Sequence, residues 1–404
     1  MRNNLLALLL ISAAAPAAQQ TFRTTANTIA VEATVVDKSG KPVTDLTAAD
    51  FQIFEDGKPQ AVQTIYLVTA PPSGTATTIS SSAEPPATPL RVETRNRVMV
   101  FVFDLEHLSA DGYKKSRTAV ESFLKDGGLP SDMIGILSGS AMLDNKIERD
   151  RAALLKAMQK MKGPTLARYT ELRSWPRLID DAEALAVARN STRVVDNAVQ
   201  RACAERPDDC AVVGRDWVLQ LIEAKAREFT AKASRDAQLS LAVLATVANG
   251  LGRFPGRKQV VVLSDGFLTA EFQSQLNAII QVAARNDVRF STIDSRGLNR
   301  DPRSQSFMNE QPLTMLGDHA ILSADDNADV MNNIASETGG EFLSNRNDLR
   351  PALDIIASMS GNYYVLGYAP EKTMDGSYRK IDVKVTRPGL TVMARRGYMA
   401  LAAK

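Results

Sequence analysis

The chain has 404 residues, 44% of them hydrophobic and 23% charged, which suits a folded protein of two or three domains. Its 48 basic and 46 acidic residues leave a formal net charge of +2. That balance removes any electrostatic case for nucleic acid or an anionic membrane surface as a partner.

The opening residues, MRNNLLALLLISAAAPAAQQ, have the form of a secretory signal over 1–18. Arg2 gives a short positive start, and Leu5–Ala15 is apolar but too short to cross a bilayer. Ala15-Pro16-Ala17 supplies small residues for cleavage. The mature protein is therefore expected outside the cytoplasm, in the periplasm or the extracellular space. No later stretch has the roughly 18 consecutive apolar residues of a span, so no membrane span is expected in the mature chain.

Residues 28–68 read as a small N-terminal β unit. TIAVEATVVDKSGKPV alternates and turns at Lys38-Ser39-Gly40; DFQIFEDGKPQAV repeats the pattern with a turn at Asp56-Gly57. Residues 69–95 are rich in Pro, Ser and Thr and read as an extended linker.

From Val98 strands and helices alternate. Val98–Phe103 is an apolar, β-branched and aromatic strand. Ser109 or Asp111 can cap a helix with Tyr113, Val120, Phe123 and Leu124 on its apolar stripe, ended by Gly127-Gly128. A strand over 133–137 follows. Asp150 then caps a helix carrying Leu154, Leu155, Met158 and Met161, stopped at Gly163-Pro164. Further strands are expected over 258–267, 287–297 and 341–343. This rhythm, spanning 96–358, predicts a doubly wound, mostly parallel sheet covered on both faces.

Residues 172–251 break the rhythm and read as two long helices, a hairpin inserted into the α/β unit. Trp217, Leu221 and Ala224, or Val218, Leu221 and Ile222, form its buried face, continued by Leu241, Leu244 and Leu251. Cys203 and Cys210 flank the turn-forming AERPDD at the hairpin tip. In an exported chain they are expected to form a disulfide, stabilising by about 2 kcal/mol. Two cysteines cannot complete a structural zinc shell.

Residues 359–404 return to β pattern, with Ile381, Val383 and Val385 alternating with charged residues and a turn at Arg387-Pro388-Gly389. Neither β flank has enough strands to be stable alone. They are expected to pack together as a second, smaller subdomain.

Asp104 and Asp265 follow two of the buried strands directly. In a doubly wound sheet, ligands bind beyond the carboxyl ends of the strands. With Glu106, these residues place three carboxylates in one crevice. Oxygen ligands of this kind select magnesium, manganese or calcium.

VFVFDLEHLS, IGIL, GRKQVVVLSDGF and VRFSTIDSRGL, in this order, resemble a von Willebrand factor A domain. VVDKSGKPVTDLTAADFQIFEDGKPQ and YYVLGYAPEKTMDGSYRKIDVKVTRPGLTVMARRGY resemble the flanks of von Willebrand factor A-related exported proteins of the acidobacterial type. The resemblance implies a Rossmann-like A domain with an adhesion or scaffold role, a protein partner and no catalysis. The family's metal site uses Asp-x-Ser-x-Ser after the first strand, a Thr on a later loop and an Asp after the central strand. Asp104 and Asp265 match its two acids, and Thr165 or Thr170 is the candidate Thr. Glu106 and Leu108 stand where the serines should be, and Ser109 is one residue out of register.

The resemblance thus implies a degenerate site that requires no cofactor, with Mg2+ or Ca2+ as the candidate ion. Asp104 is then expected to fix its loop by accepting backbone N–H bonds, Asp265 to serve the turn before Gly266, and His107 to lie on the loop surface. A second resemblance is fainter. Asp104-x-Glu106 with SDGFLTAE, which contains Asp265 and Glu271, is similar to a haloacid-dehalogenase-type phosphatase. Asp104 would be its nucleophile, Glu106 its acid and the later carboxylates magnesium ligands, although that family has Asp where Glu106 stands. Two histidines and two paired cysteines leave no credible Ser-His-Asp or Cys-His set. Carbohydrate binding by the β flanks has no basis beyond their β character.

Overall fold

The computed structural model describes residues 28–69, 91–94, 97–164, 172–179, 181–255, 257–266, 272–298 and 330–400. The signal-like segment 1–18, residues 70–90 of the linker stretch, Thr165, Thr170 and Glu271 lie outside them. No helix of the described residues is long and apolar enough to cross a membrane.

A six-stranded sheet forms the centre. It comprises β6 (Val98–Phe103), β7 (Met133–Ser138), β8 (Ala141–Glu148), β9 (Lys258–Ser264), β10 (Val288–Asp294) and β11 (Phe342–Leu343), in the order β11-β10-β9-β6-β7-β8. All neighbours are parallel except β7 and β8. The sheet is therefore mostly parallel and doubly wound, and the order reverses between β6 and β9.

The six residues of β6 are buried on both faces. Met99, Phe101 and Phe103 pack on α1 (Ala110–Asp126), α2 (Arg151–Gln159) and α9 (Arg350–Gly361) through Phe123, Met158 and Leu353. Val98, Val100 and Val102 face the opposite layer. There they meet Leu241 and Leu244 of α6 (Arg215–Gly250), Ile279 of α7 (Gln273–Arg285) and Ile334 of α8 (330–338). Full burial of each such side chain stabilises by about 1.5–3 kcal/mol, which is why the central strand reads as an unbroken apolar run.

The insertion differs from the expected hairpin. Three short helices, α3 (Asp181–Ala188), α4 (Thr192–Glu205) and α5 (Pro207–Val213), precede the 36-residue α6. Asn190 in the left-handed region (φ +58°) and Pro207 at the start of α5 supply the breaks. Cys203 on α4 and Cys210 on α5 are joined in a disulfide across that corner, with Cα atoms 5.2 Å apart. Val218, Ile222, Ala226, Phe229 and Ala233 form the buried stripe of the lobe, while Trp217 is 44% exposed. Only the first half of α6 belongs to the lobe. Its second half is a covering helix of the sheet.

Both ends of the chain share a β sandwich. One sheet has the order β14 (Thr391–Ala394), β1 (Ile29–Val36), β12 (Asn362–Tyr368), β4 (Thr64–Thr69), β5 (Arg91–Thr94); the other has β15 (Gly397–Met399), β13 (Tyr378–Val385), β2 (Phe51–Glu55), β3 (Lys58–Gln60). Val31, Leu366, Phe51, Ile53, Ile381 and Val383 fill the space between the sheets. The linker reading is corrected at its end, because residues 91–94 pair in parallel with β4, Tyr66 opposite Arg91.

The sandwich docks at the amino edge of the six-stranded sheet. Glu32 of β1 reaches Arg289 at 3.0 Å and Arg257 at 3.6 Å. The Arg257 guanidinium lies 4.5 Å from the centre of the Tyr363 ring. Burial first, and then Arg289, push Arg257 down to about 9 against the pull of Glu32. This anchorage lies at the end of the sheet opposite its carboxyl edge.

Candidate functional site at the carboxyl edge of the sheet

β6 delivers Asp104 to the switch point. Its backbone N–H donates to Leu263 O of β9 at 3.0 Å, which fixes it between the two central strands. Its carbonyl accepts from the N–H groups of His107 (3.0 Å) and Leu108 (2.8 Å), closing one tight turn. That turn folds the His107 ring back over the Asp104 carboxylate. Asp104 is 6% exposed and His107 2%, so His107 is a buried member of the site and not the loop-surface residue expected from sequence.

Three side chains donate to the carboxylate. His107 Nδ1 lies 2.9 and 3.1 Å from its two oxygens. Ser240 Oγ of α6 donates to Oδ1 at 2.6 Å and Ser264 Oγ of β9 to Oδ2 at 2.8 Å. Burial works to raise the Asp104 carboxyl, but His107 and these donors outweigh it and hold the group below its ordinary value. The bonds expected from backbone N–H groups are thus supplied by side chains.

Asp265 serves a different element. Its Oδ2 accepts from Ser109 N at 2.8 Å, at the start of α1. Its Oδ1 is buried, has no hydrogen-bond partner among the described residues, and lies where a Cβ on Gly112 would come within 2.3 Å. Glycine at 112 is what lets the first turn of α1 approach this carboxylate. Burial, with Asp294 nearby, raises the Asp265 carboxyl, and the Ser109 donors only partly oppose it. Ser109 is the N-cap of α1, with its hydroxyl accepting from Gly112 N at 3.0 Å. Glu106 is exposed on the turn.

The expectation of three carboxylates in one crevice is therefore corrected. Asp265 turns to α1, while Asp104, bonded to His107, Ser240 and Ser264, shares only the lining of one pocket with the exposed Glu106. Among the described residues no group of three or more His, Cys, Asp or Glu could hold a metal ion. Both Asp104 oxygens already accept from protein donors, Leu108 is buried and has no ligand atom, and the Ser109 hydroxyl is used as a cap. These residues do not fit the family's cation site. Thr165, Thr170 and Glu271 lie outside the described residues.

A pocket of about 80 Å³ opens beside Asp104. Val102 and Val262 of the sheet and Leu239, Val243 and Leu244 of α6 give it apolar walls, with Glu106 and Ser240 also lining it. Leu239 is 57% exposed. Sequence reasoning missed His107, Ser240 and Ser264. The Asp104/His107 spacing of three was a usable signal, and Ser264 neighbours Asp265. Ser240 lies 136 residues from Asp104 and left none.

Against known proteins, no family model matches this chain, and no curated protein matches it either.

Proposed function

We propose that the chain is an exported interaction module of von Willebrand factor A type, whose protein partner binds the carboxyl edge of the sheet without a divalent cation. The observation that carries this reading is the saturation of Asp104 by His107, Ser240 and Ser264 at the switch point. In a cation-dependent module, a partner's acidic residue completes the ion's shell. Here both oxygens of the Asp104 carboxylate already accept from protein side chains, and among the described residues no His, Cys, Asp or Glu group completes a metal shell around it. The neighbouring pocket has mostly apolar walls, with Asp104, Glu106, Ser140 and Ser240 as its polar lining, and is of side-chain size. It suits an aliphatic residue of the partner, with Leu239 on α6 as the exposed contact.

The phosphohydrolase reading gains no support from this geometry. A nucleophilic Asp must reach a phosphorus atom, whereas the Asp104 oxygens are buried and turned toward protein donors.

The test uses the full mature chain to capture its partner from an envelope and secretome extract. Affinity is then measured with and without a chelator, on wild type, Asp104→Ala and Leu239→Asp. Chelation should leave binding unchanged, and Leu239→Asp should weaken it about tenfold or more. Binding lost on chelation and restored by Mg2+ or Ca2+ would sink the proposal.

A further inference from the structure

A larger cavity lies away from this edge, at the seam between the α/β unit and the β sandwich. Its volume is about 390 Å³, within the roughly 300–1,000 Å³ of small-molecule sites. One wall is α7, where Gln273, Asn277 and Gln281 recur every four residues on one stripe. The facing wall is α8, with Asn333 and Glu337 at the same spacing. Leu276, Ile280 and Ile334 are its apolar lining residues.

Tyr378 of β13 completes the cavity and is 40% exposed. Its ring is held in place from two sides. A Cβ on Gly397 would come within 2.3 Å of the ring's hydroxyl end, so the ring lies directly against that glycine. The Tyr378 hydroxyl also sits 3.5 Å from Glu337 Oε2. The one carboxylate of the cavity, Glu337, is in turn paired with Arg396 at 3.4 Å.

We infer that this cavity is a binding site for a short neutral saccharide. Each carboxamide offers donors and an acceptor side by side, the pattern that neighbouring sugar hydroxyls complement. The apolar lining and the exposed tyrosine face suit the C–H faces of a pyranose ring. Among the described residues no lysine or arginine lines the cavity, and the nearby Arg396 is already paired with Glu337, which favours a neutral ligand over an anion. Its two facing walls are helices whose backbone groups are internally bonded, so recognition there falls to the side chains that line it.

The experiment titrates cellobiose, chitobiose and maltotriose, with tetra-alanine as the peptide probe, into the full mature chain by calorimetry and saturation-transfer NMR. The variants are Tyr378→Ala and, because Tyr378 belongs to a strand, the exposed helix-surface change Asn333→Ala. At least one saccharide should bind, and each variant should weaken it about tenfold or more while far-ultraviolet circular dichroism stays unchanged. The inference is overturned if no saccharide binds at up to about 10 mM. It is equally overturned if binding ignores the correctly folded Asn333→Ala variant, or if tetra-alanine binds in place of the sugars.

Discussion

At the amino edge of the six-stranded sheet, carboxylates meet buried arginines: the buried Asp132 holds Arg97, and the half-buried Glu32 holds Arg257 and Arg289. At the carboxyl edge they meet hydroxyls, backbone N–H groups and one histidine, as Asp104 and Asp265 do. The first edge is closed by the β sandwich, and full ion pairs suit a permanent junction. The second faces outward beside an apolar pocket. There, the acids are held by short side-chain and backbone donors and not by arginine pairs. The contrast separates residues that hold the molecule together from residues that shape a binding edge.

The comparison breaks most visibly at the amino edge. Asp132 is fully buried and accepts from Arg97 Nε at 2.9 Å and from Leu129 N at 2.7 Å. Asp132→Ala leaves a buried guanidinium unpaired and should cost about 3–5 kcal/mol in chemical denaturation. Glu32→Ala strips the shared partner from Arg257 and Arg289. It should cost about 3 kcal/mol and loosen the sandwich first, read as earlier proteolysis within residues 28–69. An unchanged digestion pattern would show that the apolar seam alone holds the two units.

The carboxyl edge should respond less. Asp104→Ala leaves the Ser240 and Ser264 hydroxyls without their acceptor and should cost about 2–3 kcal/mol. The pH dependence gives the sharper test, because the two acids shift in opposite directions. Asp104 is held below its ordinary value in the fold. Its contribution is therefore complete above about pH 4 and is lost as pH falls through the folded value. Asp265 is raised, so its contribution is complete below about pH 4 and is lost as pH rises through the folded value. Asp265→Asn should change stability by less than about 1 kcal/mol, in the stabilising direction at pH 7, with the gain gone near pH 4. Parallel pH profiles for Asp104→Asn and Asp265→Asn would contradict the assignment.

Much of the fold is legible in particular residues. The all-apolar Val98–Phe103, the Ser109 cap and the Asp150 cap each mark an element that is present. Alternation at Ile381 and Val383 marks the buried face of β13. What the pattern hid were local overrides. Ala141–Glu148 carries only three large apolar side chains and becomes a strand because it is the antiparallel edge beside β7. Asn190 breaks the first of the two long helices that periodicity reads across 172–251, and Pro207 opens a separate short helix inside the expected turn. The site was half legible. Strand ends announced Asp104 and Asp265, but their partners depend on long-range packing: Ser240 reaches Asp104 only because the second half of α6 lies across the sheet.

The most direct measurement of the central claim is the thermal midpoint of the protein in about 5 mM Mg2+ or Ca2+ against the same protein in chelator, for wild type and Asp104→Ala. A ligand that binds only the native state must raise the midpoint by mass action. The account predicts no cation-dependent shift in either protein, because His107, Ser240 and Ser264 already occupy the Asp104 carboxylate. A saturable rise in wild type that Asp104→Ala abolishes would contradict it and restore Asp104 as a metal ligand.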